Sequence, residues 1–228
     1  MLLAGKRALR VAIDGGLAGR FPGLAALSAL IQGVKVEASC PRMEARKAEV
    51  FEAVRKKYDL ATVKDGKNFK AYRSFFWSVG LDPTKSRPAA EALIRRILAG
   101  KPFPAVNSLV DAYNLASVST EVALAAFDAD KVRGELLMRQ AKPGEEFLGI
   151  GMRNPTALAG GEVVLSDGER LVAVYPHRDA QHSSITLGTK NALLLACGVP
   201  GVDEATLRRA LEIAAAYVTE FCGGTVVA

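Results

Sequence analysis

Between residues 122 and 175 the chain repeats one pattern four times: a short apolar run closed by charged or turn-forming residues. VALAAF, GELLMR, EVVLSD and RLVAVY alternate with turn residues spaced roughly 8 to 15 residues apart, the pattern of several antiparallel or mixed strands. Stretches of helical period flank this sheet-forming segment. Residues 41–58 place Val50, Phe51 and Val54 at helical spacing among many charges. A second helix has Ser86 as N-cap, Pro88 in its permissive first turn, a stripe of Ala90, Leu93, Ile94, Ile97 and Leu98, and Gly100 as its stop. A short helix over residues 190–197 and a longer one opening at Asp203 follow, the latter with Leu207, Leu211, Ala214, Val218 and Phe221 on one face. Before all of these, residues 9–38 read as a strand (LRVAID), a Gly/Pro-punctuated loop (GGLAGRFPG), an apolar stretch and a strand (VKVEA). The expected class is therefore α+β, with helices packed around a sheet.

The 228 residues suffice for one substantial core, so residues 1–228 are expected to form one domain with a small β-rich N-terminal lobe at about residues 1–40. Three cysteines, Cys40, Cys197 and Cys222, are odd in number and lack CxxC spacing, which argues against a disulfide framework or zinc knuckle. No apolar run reaches the ~18 residues of a membrane span. The start, MLLAGKRALRVAIDGG, has no long apolar stretch or small-residue cleavage site. A cytoplasmic protein is expected. Thirty Lys and Arg against 24 Asp and Glu leave a charge of +6, which favours a polyanionic partner such as RNA and equally serves solubility.

Signatures of phosphate loops, HExxH zinc sites, GxSxG elbows and strand-following GxGxxG are absent. What stands out is HRDAQH, where His177, Arg178, Asp179, Gln181 and His182 fall within six residues after an expected strand. A hydrogen-bonded surface turn would use the same residue types. Metal ligation by His177, Asp179 and His182 is the lesser alternative, because no further ligand pair stands at recognisable spacing and Arg178 would repel a cation. A second polar cluster spans residues 107–128 and includes Asn107, Asp111, Tyr113, Asn114 and Asp128, which could cap helices or line a small-molecule pocket. Lys85, Arg87, Arg95 and Arg96 lie on or beside the polar side of the second helix, where they could meet phosphates or merely solvate it.

Several motifs, in order, resemble the third and fourth B domains of bacterial phenylalanyl-tRNA synthetase beta subunits, in a free-standing form. They are FPGL (residues 21–24), YRSFFWSVGLDPTKSRPAAEALIRRIL (72–98), PAVNSLVDAYNLAS (104–117), AFDADKVRGELLMRQAKPGEEFLGIG (126–151), GEVVLSD (161–167) and HRDAQHSSITLGTKN (177–191). The resemblance implies a mixed β pseudo-barrel or sheet flanked and capped by α-helices. It implies hydrolysis of the ester of mischarged aminoacyl-tRNA by a positioned water, acting in trans, with no metal or other cofactor. The partner implied is tRNA, through its aminoacylated 3′ end, with neither DNA nor membrane. No aminoacylation core is present in this sequence, so ligase activity is not expected.

Carried across, VDAYN puts Asp111 and Asn114 on the family's polar motif, and AFD matches its histidine-alanine-phenylalanine-aspartate motif, with Ala125 in place of the histidine. HRDAQHSSIT falls on a loop that lines the same pocket. His177, Asp179 and His182 are accordingly the expected catalytic groups, and Asn107, Asp111, Asn114, Asp128, Arg178, Gln181 and Thr186 the expected substrate contacts. Lys85, Arg87, Arg95 and Arg96 are the expected nucleic-acid contacts. The competing reading is a non-catalytic RNA or amino-acid binding module that keeps the fold without the chemistry; Ala125 favours it. A small-molecule hydrolase using the same pocket is a third. Which amino acid and tRNA are recognised, and the oligomeric state, stay open on sequence grounds.

Overall fold

The computed structural model describes residues 9–227. The opening residues 1–8, on which part of the leader-peptide reading falls, lie outside that range. The chain begins with two short strands, β1 (Leu9–Arg10) and β2 (Ala12–Ile13), then a helix α1 (Gly15–Arg20) and the long strand β3 (Ala25–Gln32). The loop expected from GGLAGR is thus a helix. Asp14 supplies the reason: its carboxylate accepts from the N–H groups of Gly16 and Leu17 and caps an otherwise weak helix former.

Four helices follow: α2 (Met43–Lys57), α3 (Lys67–Ser78), α4 (Ala89–Leu98) and α5 (Ser108–Thr120). Helix α4 starts at Pro88 and makes no use of Ser86 as a cap. The expected VKVEA strand does not form. That stretch crosses the ends of other elements, bonding Val34 N–H to Lys190 O, Lys35 N–H to Cys222 O and Glu37 N–H to Ser108 Oγ, so it satisfies its backbone without a ladder.

The remaining strands are β4 (Ala123–Asp128), β5 (Leu137–Gln140), β6 (Glu146–Phe147), β7 (Thr156–Ala157), β8 (Val163–Ser166), β9 (Leu171–Val174), β10 (Arg178–Asp179), β11 (Asn191–Gly198) and β12 (Thr225–Val226); α6 (Glu204–Cys222) precedes the last. The four sequence runs of the central segment correspond to β4, β5, β8 and β9. Residues 190–197, expected as a helix, belong instead to β11. This strand pairs antiparallel with β3 along its whole length and with β4 on its other edge. An unbroken apolar run carries no period to separate helix from strand, and two ready partner edges decide it.

Two open sheets result, and no barrel closes. The first has the order β1-β3-β11-β4, with β12 sharing the β1 edge of β3; the second has the order β10-β9-β8-β5-β2. The small hairpin β6-β7 stands apart. Residues 9–32 feed both sheets, and β3 is an interior strand. Helices α5 and α6 pack on each other and on the first sheet, filling the core with Leu109, Leu115, Leu207, Leu211 and Ala214. At the end of β11 the approach is so close that a Cβ on Gly198 would lie 2.4 Å from Leu207 Cδ1 and 2.7 Å from Ala25 O. Tyr175, buried at the end of β9, donates to Gly198 O at 2.7 Å and so ties the second sheet to the first. No helix among the described residues is long and apolar enough to cross a membrane.

Candidate active site

The two sheets meet along a cleft of about 170 Å³. One wall is a face of the first sheet. Strand alternation puts Ala123 and Ala125 of β4 beside Cys197 and Leu195 of β11, their register partners, giving a small-residue apolar surface. The opposite wall is Ala173 and Tyr175 of β9 with the corner that follows, Pro176 to Asp179. Helix α5 closes one end with Tyr113 and Asn114, and Ala89 at the start of α4 forms part of the rim. The VDAYN and HRDAQH stretches therefore converge on one concavity.

Its polar groups are few and largely unspent. Asp179 is half-buried in the cleft wall, and burial pushes the pKa of its carboxyl up to about 7. Among the described residues nothing donates a hydrogen bond to it or pairs with its charge. Tyr113 is half-buried, and burial first, then the nearby Asp179 charge, holds its phenol protonated. His177 is driven down from the usual imidazole range by burial and secondarily by Arg178, so it is neutral at physiological pH. Its ring stands edge-on to Phe76, with centroids 6.4 Å apart. Arg178 turns outward and donates to Ile150 O at 3.1 Å. Below the wall, Tyr72 bridges the strands by donating to Cys197 O and accepting from Ala123 N–H at 3.1 Å, which fixes the small-residue surface.

Other sequence-identified residues lie elsewhere. Asn107 and Asp111 are buried at the start of α5, where Asn107 accepts from Val110 N–H at 3.0 Å and Asp111 from Val106 N–H at 2.9 Å. Asp128, at the far end of β4, accepts from Thr189 Oγ1 and pairs with Lys131. Gln181 and Thr186 are exposed on the following turns. His182 has Nε2 3.0 Å from Leu171 O and an enclosed Nδ1 without a partner, and it borders a wider surface depression of about 730 Å³ that also contains the Arg139–Glu145 ion pair. No group of three or more metal-ligating side chains gathers among the described residues. Tyr113, part of the VDAYN stretch and of the polar cluster over residues 107–128, lies in the cleft, whereas Tyr175, Ala123 and Cys197 carry no motif and come there through strand register.

On α4 a separate shallow groove is lined by Arg87, Arg95, Arg96 and Lys101. Under it, Glu91 is fully buried and accepts from Arg73 and Arg95, which anchors Arg95 against the helix. Arg96 donates to Pro102 O, and Lys85 stands exposed on the preceding turn.

Residues 71–223, two thirds of the chain, match the B3/4 domain. The chain belongs to the B3/4 domain family. It is 30% identical, over 164 residues, to the phenylalanine–tRNA ligase beta subunit of Rhodopseudomonas palustris, and 30% identical over 165 residues to that of Geobacter sulfurreducens. Each match takes in 62% of this chain and 20% of the relative, so the chain spans about a fifth of the length of the curated relatives it matches. Among solved structures, an N-terminal fragment of the phenylalanyl-tRNA synthetase beta subunit from Pyrococcus horikoshii shares the fold. That similarity has a TM-score of 0.50, covers 95% of this chain and 49% of the fragment, and is 14% identical in sequence. This B3/4 domain is thus derived from the same stock as tRNA synthetase beta subunits.

Proposed function

We propose that this B3/4 domain hydrolyses the ester of aminoacylated tRNA in trans. The observation that carries the reading is the meeting of Tyr113, Asn114, His177 and Asp179 in one small cleft whose remaining walls, Arg178 apart, are apolar. The aminoacyl group would occupy the cleft, with the terminal ribose at its rim beside Ala89. From there the basic groove of α4, with Arg87, Arg95 and Arg96, would follow the tRNA phosphates. Neutral His177 is suited to take a proton from water as that water attacks the ester carbonyl. The protonated phenol of Tyr113 and the amide of Asn114 can donate to the oxygen on which negative charge develops. The ribose hydroxyl then leaves with the proton returned to it. Ala125 stands in the wall with only a methyl group, leaving room that an imidazole would fill.

Purified protein incubated with a panel of aminoacyl-tRNAs, without added metal, should deacylate at least one of them, and His177→Ala should slow that reaction by about 100-fold. No turnover on any member of the panel overturns the proposal. The apolar wall at Ala125 keeps a second reading in view, an RNA-binding module without chemistry. In that case tRNA binding should weaken steeply with salt, and charge reversal at Arg87 and Arg96 should reduce it, while no ester is cleaved.

A further inference from the structure

The half-buried Asp179 carboxyl differs from the buried acids Glu91, Asp128 and Asp167. Glu91 has two arginines, Asp128 has Thr189 and Lys131, and Asp167 accepts backbone N–H groups of Arg133, Glu169 and Arg170. Asp179 has none of these, although Arg178 is its immediate neighbour; that guanidinium is spent on Ile150 O. No lysine or arginine other than Arg178 lines the cleft. A half-buried carboxyl that lines a mostly apolar cleft without a cation beside it is open to an ion pair with a ligand, and burial raises its pKa to about 7 while it lacks one. The group that fits this position is a compact cation entering with the ligand. An aminoacyl ester carries one such group next to its scissile carbonyl.

We propose that Asp179 receives the free α-ammonium group of the ligand, so that the cleft selects esters of unblocked amino acids and rejects those whose α-nitrogen is acylated or replaced. The inference rests on the aminoacyl-ester reading above. It also accounts for release: hydrolysis creates an α-carboxylate in a cleft that offers Asp179 and no inward-facing cation, so the product is repelled.

The decisive comparison uses the unmodified protein and pairs of tRNAs that differ only at the α-position. One member carries the amino acid, and the other its α-hydroxy analogue, which keeps the size and loses the charge. An N-acetylated set adds bulk as well. The amino form should be hydrolysed at least ~30-fold faster than the hydroxy form, in KM more than in kcat, and Asp179→Asn should bring the two to within a few-fold. Equal rates for the amino and hydroxy forms in the unmodified protein overturn this inference and leave the hydrolase reading intact. Should no tRNA be cleaved, the hydrolase reading fails by itself. Amino-acid amides, which keep the ammonium and lack the carboxylate, then provide the test: binding that strengthens as pH rises through about 7 and disappears in Asp179→Asn upholds the ammonium site, and absence of binding removes it.

Discussion

Two carboxylates, Glu91 buried on helix α4 and Asp179 half-buried in the cleft, are treated in opposite ways. Glu91 is completely buried and meets Arg73 and Arg95, so its charge is shared by two guanidinium groups within 3.2 Å. Asp179 is half-buried in a cleft of mostly apolar and aromatic groups, and among the described residues no side chain pairs with it. The first arrangement locks a helix and its preceding loop, since Arg73 also bonds Pro83 O. The second leaves a carboxyl without a cation partner in the cleft where both sheets and α5 converge. A fold that can complete an ion pair on one side of α4 and omits it on the other separates stability from function residue by residue.

The contrast is broken most directly by removing its satisfied half. Glu91→Ala should cost about 3–5 kcal/mol of unfolding free energy, because two partly buried arginines lose their partner; chemical denaturation will report it. A loss under ~1 kcal/mol would mean that the two acids are energetically alike. Asp179→Asn should act with the opposite sign. The folded-state pKa of Asp179, about 7, lies above the ordinary carboxylate value, so the folded protein loses stability as pH rises from about 4 to 7 and then levels off. The Asn variant escapes that loss, and its melting temperature at pH 8 should exceed that of the unmodified protein by roughly 3–6 °C, with the gap closing near pH 4.

Asp111 sharpens the comparison from between the extremes. It accepts from Val106 N–H and has Lys47 at 3.8 Å, yet burial outweighs these partners and its pKa is raised. Asp111→Asn should change stability by under ~1 kcal/mol at pH 7, far less than Glu91→Ala. The smallest effect belongs to Glu145, which Arg139 and the backbone of Lys142 pull down to about 2 although the pair is partly exposed. Its contribution is present above the ordinary carboxylate range and is lost as pH falls towards 2. Glu145→Gln should lower stability by ~0.5 kcal/mol at pH 7, and high salt should shrink the difference.

The parts of this fold that sequence reveals are those with local causes. Helix α6 begins where Asp203 accepts from Thr206 N–H, keeps its stripe facing the sheet and ends at Gly223, as its pattern requires. Strand β11 has no such local signature. NALLLACG is rich in good helix formers and lacks alternation, and it is a strand because β3 and β4 both present edges to it. The site divides in the same way. His177 and Asp179 are visible as a local concentration of polar chemistry, and the family resemblance pairs them with Asn114. His182, three positions beyond Asp179, follows a 3-10 turn away from the cleft. Ala123, Cys197 and Tyr175 come into the site only through the register of two sheets, which no short window of sequence contains.

The phenol of Tyr175 joins these observations. It spans the seam by bonding Gly198 O, and the next four residues, Pro176 to Asp179, form the cleft's polar wall. The acidity of Asp179 in that wall is consequently tied to alignment at the seam: a shift that opens the joint admits more water to it and draws its proton affinity back toward that of a free side chain. Gly198, where even a methyl group would collide with Leu207, is the hinge stone of that joint, so a fault in hydrophobic packing beneath β11 would surface as a changed titration curve on the far side of the sheet.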